Sequence, residues 1–211
     1  MGRLAGTIIP VEPFDPASSR VAVIAHLEDT FGPNSGKGSV TFLGTETMDV
    51  VRFGPSPDGL IRYATVGMSL HPMSSAGAGT LDPAGPRAEL LLTLRVRPGG
   101  SHPGVLRSLA ILASTPAVEG VVVGPGASLT LGGPLFDGST AVAVLVAEPG
   151  PVPDLPLPGA VAPVRFLPLL PLTAAEAEFK RLHGAEALED RWLAYGTDLR
   201  DPARESVALE A

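Results

Sequence analysis

The fold is decided by two stretches of sequence, LIRYATVGMS at residues 60–69 and RAELLLTLR at residues 87–95. The second stretch continues to residue 97 with apolar and polar residues in alternation, which is typical of a β-strand with one face on a core. The apolar set is Ala88, Leu90, Leu92, Leu94 and Val96, and the opposite set is Arg87, Glu89, Thr93, Arg95 and Arg97, with Leu91 as the exception. The sequence therefore predicts that the second set faces solvent.

The first stretch closes a predicted β-hairpin. Its other strand is TMDVVRF at residues 47–53, and the connecting loop of about six residues contains Asp58-Gly59, a strong turn signal. Within 60–69, alternation places Tyr63 on one face with Thr65 and Gly67. Two interpretations of that tyrosine stay open. It is a half-buried aromatic of the sheet, or it contacts a partner through its apolar ring and its hydroxyl group.

Four helices are predicted. They cover residues 20–31, 103–115, 173–184 and 185–194. The first has its apolar residues Val21, Ile24, Ala25 and Leu27 on one face. The third begins with a capping box, in which Thr173 and Glu176 satisfy each other's backbone donors. The fourth places Leu188 and Trp192 four residues apart on a buried face.

The remaining segments are predicted as strands, loops and ends. Further strands are expected near residues 120–123, 127–131, 140–147 and 163–170. The loop at 70–86 is rich in Gly, Ser, Ala and Pro, and the proline-rich connector at 148–163 should be extended and semi-rigid. We interpret residues 1–19 as an irregular N-terminal arm and residues 203–211 as a polar C-terminal tail that frays.

Composition excludes several classes of function. The chain has 211 residues, 15 basic against 22 acidic, a net charge of −7 and no run of Lys or Arg, which argues against nucleic-acid binding. The absence of cysteine excludes disulfides, thiol catalysis and Cys-ligated metals. No secretory signal is visible, and the longest apolar run, 141–147, is too short to span a membrane. We therefore expect a soluble cytoplasmic protein, and the composition is typical of a GC-rich bacterium.

No catalytic or metal-binding signature stands out. The four histidines, His26, His71, His102 and His183, have no ligand spacing and are interpreted as surface or capping residues. Gly124-Pro125-Gly126 leads into a strand and is interpreted as a turn rather than a phosphate loop. Acidic residues in the C-terminal helices (Glu176, Glu178, Glu186, Glu189 and Asp190) are interpreted as a solvated face. We expect no metal and no cofactor.

Three motifs, taken in order, resemble the Suppressor of fused domain family. They are Y-x-x-x-G-x-S at Tyr63, Gly67 and Ser69, an E-L-x-x-x-x-R-like pattern from Glu89 to Arg95, and F-L-x-x-x-P-x-T-x-x-E from Phe166 to Glu176. The likeness covers residues 20–202 and is to a single-domain bacterial member. It implies an α+β domain with a mixed, mostly antiparallel sheet flanked by helices and with no enzymatic activity.

The resemblance also implies a protein or peptide partner. The eukaryotic member captures an extended peptide by strand addition, in which backbone hydrogen bonds give affinity and side-chain pockets give specificity. Tyr63 matches a partner-contacting tyrosine of that member, and we expect a partner-binding site at Tyr63, Thr65, Gly67 and Ser69. The oligomeric state is left open.

Three functions follow as hypotheses. The first is a bacterial immunity protein that neutralises a polymorphic toxin, a role that the family likeness implies and that an acidic surface suits if the toxin is basic. The second is a regulatory domain that binds a cellular peptide by strand addition. The third is an enzyme with a site assembled from Tyr63, His71, Glu89 and Arg95 beside the 70–86 loop.

Overall fold

A seven-stranded mixed sheet and four α-helices make up the computed structural model, which describes residues 14–41, 47–75, 82–96, 102–159, 161–201 and 203–209. The strands are β1 Asn34–Val40, β2 Met48–Phe53, β3 Leu60–Val66, β4 Arg87–Arg95, β5 Ser128–Thr130, β6 Ala141–Val146 and β7 Val164–Thr173. The helices are α1 Pro16–Phe31, α2 Val105–Glu119, α3 Ala174–His183 and α4 Ala185–Ala194, and a short 3₁₀ helix spans Met68–Leu70. The predicted α+β fold with a mixed sheet is confirmed.

The sheet order is β1-β2-β3-β4-β7-β6-β5, and every neighbouring pair is antiparallel except β4 with β7. The predicted hairpin is present as β2 and β3, with Phe53 opposite Arg62. The first stretch ends as a strand at Val66, because Gly67 adopts a φ of +134° and leads into the 3₁₀ helix. A parallel pair needs a long crossover, and residues 96–163 supply it with α2, β5 and β6.

Edge strand β1 was not predicted, because its sequence, NSGKGSV, has neither β-branched residues nor aromatics before its last position. Pairing with β2 along its length and an ion pair between Lys37 and Asp49 (2.8 Å) hold it in the sheet.

The strand predicted at 120–123 is wrong. Helix α2 continues past Pro116 to Glu119, and the Gly120 N–H then donates to the Pro116 carbonyl at 3.0 Å.

Helix α2 covers the first face of the sheet. Helices α1 and α4 cover opposite ends of the second face. Along β4, Leu90, Leu92 and Leu94 point to the α2 side and are fully buried, as predicted. On the second face, α1 packs over β2 and β3 through Val23 and Leu27. At the other end, α4 packs over β6 and β7. The strip of sheet between them is left less covered.

Helix α1 differs from its prediction in extent and in orientation. It begins at Pro16 with Asp15 as the N-cap, so residues 16–19 of the predicted arm are helical. Its buried residues Ser19, Val23 and Leu27 follow an i, i+4 spacing, whereas Val21 is 68% exposed. Residues 1–13 lie outside the described residues. None of the described helices has the length and apolarity needed to cross a bilayer.

The prediction that the polar side chains of β4 face solvent is wrong at the first two positions. Arg87 is 3% exposed and Glu89 is fully buried, whereas Arg95 at the far end of the strand is exposed. The reason is that the Gly67–Leu70 turn and Phe14 cover the start of this face, while nothing among the described residues covers its end to the same degree. Arg97 lies outside the described residues.

Candidate functional site

Three of the four predicted partner-binding residues meet at one buried carboxylate, that of Glu89. One of its oxygens accepts from the Thr65 hydroxyl at 2.7 Å. The other accepts from the Gly67 N–H (2.8 Å), the Ser69 N–H (3.1 Å) and the Ser69 hydroxyl (2.7 Å). The Thr65 hydroxyl also accepts from the Leu90 N–H at 2.8 Å. We call these residues the Glu89 cluster, and their geometry fixes the sharp turn that follows β3.

Arg87 secures the same turn from its other side. Its Nη1 donates to the carbonyls of Ser69 (2.8 Å) and Leu70 (2.7 Å), and its guanidinium lies 4.6 Å from the centre of the Phe14 ring. Burial lowers the pKa of Arg87. The Glu89 oxygens accept four hydrogen bonds, all from the end of β3 and the turn that follows it. The evident role of the Glu89 cluster is structural, and partner contact by Tyr63, Thr65, Gly67 and Ser69 stays a prediction.

Tyr63 lies apart from the Glu89 cluster, on the α2 side of the sheet, and is 3% exposed. Its hydroxyl is 3.0 Å from Nδ1 of His102, whose Nε2 is 3.1 Å from the Arg95 carbonyl. A carbonyl can only accept, so Nε2 donates and Nδ1 accepts from the tyrosine in the neutral ring. Burial raises the pKa of Tyr63. His102 is 4% exposed, which corrects its prediction as a surface residue.

A second buried carboxylate anchors the C-terminal tail. Glu176 is fully buried and belongs to the predicted capping box, in which it accepts from the Thr173 N–H at 2.9 Å. It also accepts from Trp192 Nε1 (3.0 Å) and from both terminal nitrogens of Arg204 (2.6 and 2.7 Å). Val207 donates its N–H to the same group at 3.2 Å. The prediction of a solvated Glu176 is therefore wrong, and the predicted fraying is wrong for Arg204 and Val207 of the tail.

The residues of the enzyme hypothesis do not assemble into a site. Tyr63 bonds His102, Glu89 bonds the turn, and Arg95 pairs with Asp198 at 2.5 Å on the exposed side. His71 is exposed. Residues 76–81 of the neighbouring loop lie outside the described residues. In the ranges that the structure describes, no three His, Asp or Glu side chains are grouped so that they could hold a metal ion.

The less covered strip of the second sheet face forms an open groove of about 340 Å³. Its floor is made of half-buried side chains of three adjacent strands, Arg62 of β3, Leu91 and Thr93 of β4, and Pro168 and Leu170 of β7. Its walls are Phe31 at the end of α1, residues 150–152 of the connector, and Leu199 and Arg200 after α4. We call this feature the sheet groove.

Sequence reasoning did not identify the sheet groove, although one signal pointed to it. Leu91 breaks the alternation of β4 by placing an apolar side chain on the polar face. In the structure this leucine lies on the groove floor beside Pro168. The walls carry no such signal, because they come from segments more than 50 positions from Leu91 in the sequence on either side.

Comparisons with known proteins agree with this architecture. The model of the Suppressor of fused protein (SUFU) family matches residues 44–205. A SUFU homolog from Neisseria gonorrhoeae FA 1090 superposes with a TM-score of 0.66 at 20% identity, over 92% of this chain and 100% of that one. The Sufu–Fu complex structure gives a TM-score of 0.64 at 14% identity, over 90% and 91%. Drosophila Suppressor of Fused gives 0.61 at 14% identity, over 94% of this chain and 52% of that chain.

A search of the curated proteins finds no significant match. The family match nevertheless spans most of the sequence, and it includes the Glu89 cluster, the floor of the sheet groove and the capping box at Thr173. The fold and the site thus define a Suppressor-of-fused-like α+β interaction domain. The chain belongs to the Suppressor of fused protein family.

Proposed function

We propose that this chain is a non-catalytic protein-interaction domain that binds a polypeptide partner. The observation that carries the proposal is the sheet groove, which is lined mainly by apolar side chains and open to solvent. Among its described lining residues there is no histidine, carboxylate or paired nucleophile and base of the kind that catalysis needs. An apolar groove with a few polar groups at its rim is suited to holding a peptide segment.

Strand addition at β1 is a second mode of binding within the same proposal. This strand ends the sheet, and within the described ranges no other strand pairs with its outer edge. Such an edge presents unpaired backbone N–H and C=O groups to an incoming strand. The regulatory peptide-binding hypothesis depends on this edge, whereas contact through Tyr63, Thr65, Gly67 and Ser69 would require these four buried residues to become accessible.

The more specific proposal is a cytoplasmic immunity protein of a bacterial polymorphic toxin system. The net charge of −7 supports it, because an acidic surface accelerates association with a basic toxin and suppresses wrong partners. The presence of a Sufu–Fu complex among the structural relatives supports a protein partner in general.

Co-expression with the product of the adjacent gene tests this proposal. We expect that product to inhibit growth when expressed alone, and we expect the pair to grow normally and to co-elute in size-exclusion chromatography. A complex with a non-toxic neighbour would favour the regulatory hypothesis. If the neighbour is toxic and this chain neither binds it nor restores growth, the immunity proposal is wrong.

A further inference from the structure

The sheet groove differs in charge from the rest of the chain. The protein carries a net charge of −7, yet the charged side chains among the described groove-lining residues are two arginines, Arg62 and Arg200. Arg62 rises from the floor on β3, and Arg200 belongs to the wall after α4. The apolar floor lies between them. An occupant of the groove therefore meets positive charge and apolar surface together.

Arg62 forms no hydrogen bond or close ion pair with a carboxylate of the described residues, and Asp58 interacts with it electrostatically at longer range. Its guanidinium carbon lies 5.2 Å from the centre of the Phe31 ring, and its Nη1 is 3.4 Å from the Ser56 hydroxyl oxygen. The nearby Asp58 is exposed and accepts a hydrogen bond from Ser56 rather than from Arg62. A guanidinium that stacks on an aromatic ring keeps its edge available for bidentate bonding to a carboxylate.

The opposite wall also has more positive than negative charge. Asp198 accepts from Arg95 at 2.5 Å and from Arg200 at 2.8 Å, so two guanidinium groups share one carboxylate. With Arg62, this end of the second sheet face presents three arginines against Asp198 and the exposed Asp58. Charge complementarity therefore favours an anionic group on the occupant.

The apolar surface continues beyond the sheet groove. A second depression of about 320 Å³ shares Leu170 and Leu199 with it and extends along α4 to Trp192 and Leu193. Leu193 is 83% exposed. The two depressions together form an elongated, mainly apolar path from Phe31 to Leu193, with Glu189 and Thr197 as polar lining residues of the second depression. This shape fits an extended chain better than a compact ligand.

We propose that the sheet groove binds an extended segment of a partner protein whose apolar side chains rest on Leu91, Pro168 and Leu170 and whose Asp or Glu side chain pairs with Arg62. The inference rests on the proposed interaction function and names the chemistry of the partner segment. The carboxylate replaces water at the open edge of the guanidinium, and the apolar residues on either side limit its exposure to solvent. A purely apolar segment would leave that guanidinium with only the exposed Asp58 as a counter-charge, and a basic segment would be repelled.

Two fluorescent peptides of equal length test this inference, one of alternating leucine and aspartate and one of alternating leucine and lysine. Fluorescence anisotropy should show at least about tenfold tighter binding of the leucine–aspartate peptide to the wild-type protein. Arg62→Glu should remove that preference and reverse it toward the lysine peptide. Arg107→Glu, an exposed arginine on α2 at the other face, is the matched control and should change neither affinity.

A second variant tests the apolar floor without changing charge. Thr93→Phe fills the floor and should weaken binding of the leucine–aspartate peptide about tenfold, with thermal unfolding reporting that the fold is retained. Equal affinity for both peptides, or a preference that survives Arg62→Glu, would overturn the inference.

The complex with the adjacent gene product separates the two proposals. If the wild-type complex forms and Arg62→Glu leaves it unchanged, only the groove inference fails, and if no wild-type complex forms, the immunity proposal fails.

Discussion

The two fully buried carboxylates among the described residues, Glu89 and Glu176, are held in different ways. Glu89 accepts four hydrogen bonds from neutral donors that all lie in residues 65–69. Glu176 accepts from Thr173 and Trp192 and also from the cation Arg204. No basic side chain of the described residues forms an ion pair with Glu89. The first carboxylate therefore relies on preorganised backbone and hydroxyl dipoles, and the second relies on a counter-charge.

The difference shows how one residue type serves two purposes in one sheet. Glu89 of β4 holds the turn that follows the neighbouring strand β3. Its hydrogen-bond donors all come from the end of β3 and from that turn, so removal of the carboxylate would release the turn. Glu176 fastens a tail to the start of α3, so its principal donor arrives from 28 positions later in the chain. A buried ion pair makes that attachment specific, because either charge left alone is costly.

The largest effect should come from Glu89→Leu. The substitution leaves the Thr65 and Ser69 hydroxyls and the Gly67 and Ser69 N–H groups without their acceptor in the core. Each unsatisfied buried donor costs about 1–3 kcal/mol, so a loss of at least about 4 kcal/mol in the free energy of unfolding is expected. Urea titration followed by circular dichroism measures it. Glu119→Leu, at an exposed position of α2, is the control and should change stability little. A loss as small as that of the control would contradict the structural role of the cluster.

Arg204→Met should follow, with a loss of about 3 kcal/mol, because it leaves the buried Glu176 charge without its cation. The matched control is Arg181→Met, which breaks an exposed pair with Glu178 on the same helix and should leave the unfolding midpoint unchanged. Adding Glu176→Gln to Arg204→Met should recover part of the loss, since it removes the unpaired charge. If the double variant is less stable than Arg204→Met alone, the counter-charge is not what holds this carboxylate.

The same contrast explains which parts of the molecule could be predicted from sequence. The capping box at Thr173 could be predicted because its partners are three positions apart. The hairpin could be predicted because the turn sequence Asp58-Gly59 lies between two runs of strand-forming residues. The burial of Glu176 was not visible, because Arg204 lies beyond two helices. Alternation in β4 gave the correct core face but could not show that a turn covers Glu89.

Edges and gaps of the sheet were the hardest parts to predict. Strand β1 consists largely of Gly, Ser and polar residues, and its pairing with β2, not its own propensity, makes it a strand. Strand β7 was predicted to end at residue 170 but continues through Pro171 to Thr173 and leads directly into α3. The sheet groove depends on where α1 and α4 stop covering the sheet. This is a property of packing, and Leu91 on the polar face of β4 was its one local signal.

Thr65→Val should cost less than either charge-related change, about 2 kcal/mol. The substitution conserves volume but removes the hydroxyl that donates to Glu89 and accepts from the Leu90 N–H at 2.8 Å. The backbone N–H is then left unpaired in the core, and the carboxylate keeps three of its four donors. Thr30→Val, at an exposed position of α1, is the control. Chemical denaturation measures both, and a loss as large as that of Glu89→Leu would mean that one hydroxyl, rather than the set of neutral donors, holds the carboxylate.

The smallest effect is confined to acidic pH and concerns the ionisation of Glu176. Burial opposes ionisation of Glu176, but hydrogen bonds from Arg204, Thr173 and Trp192 outweigh it and lower its pKa below the ordinary value of 4.5. Because the folded-state pKa is the lower one, the stability from this ionisation is complete above the unfolded-state pKa and is lost as pH falls through the folded-state pKa. The free energy of unfolding of the wild type minus that of Glu176→Gln should therefore be constant near neutral pH and should decrease steadily below pH 4.5. A difference that stays constant through that window, measured by urea denaturation at each pH, would show that Glu176 is not held by charge.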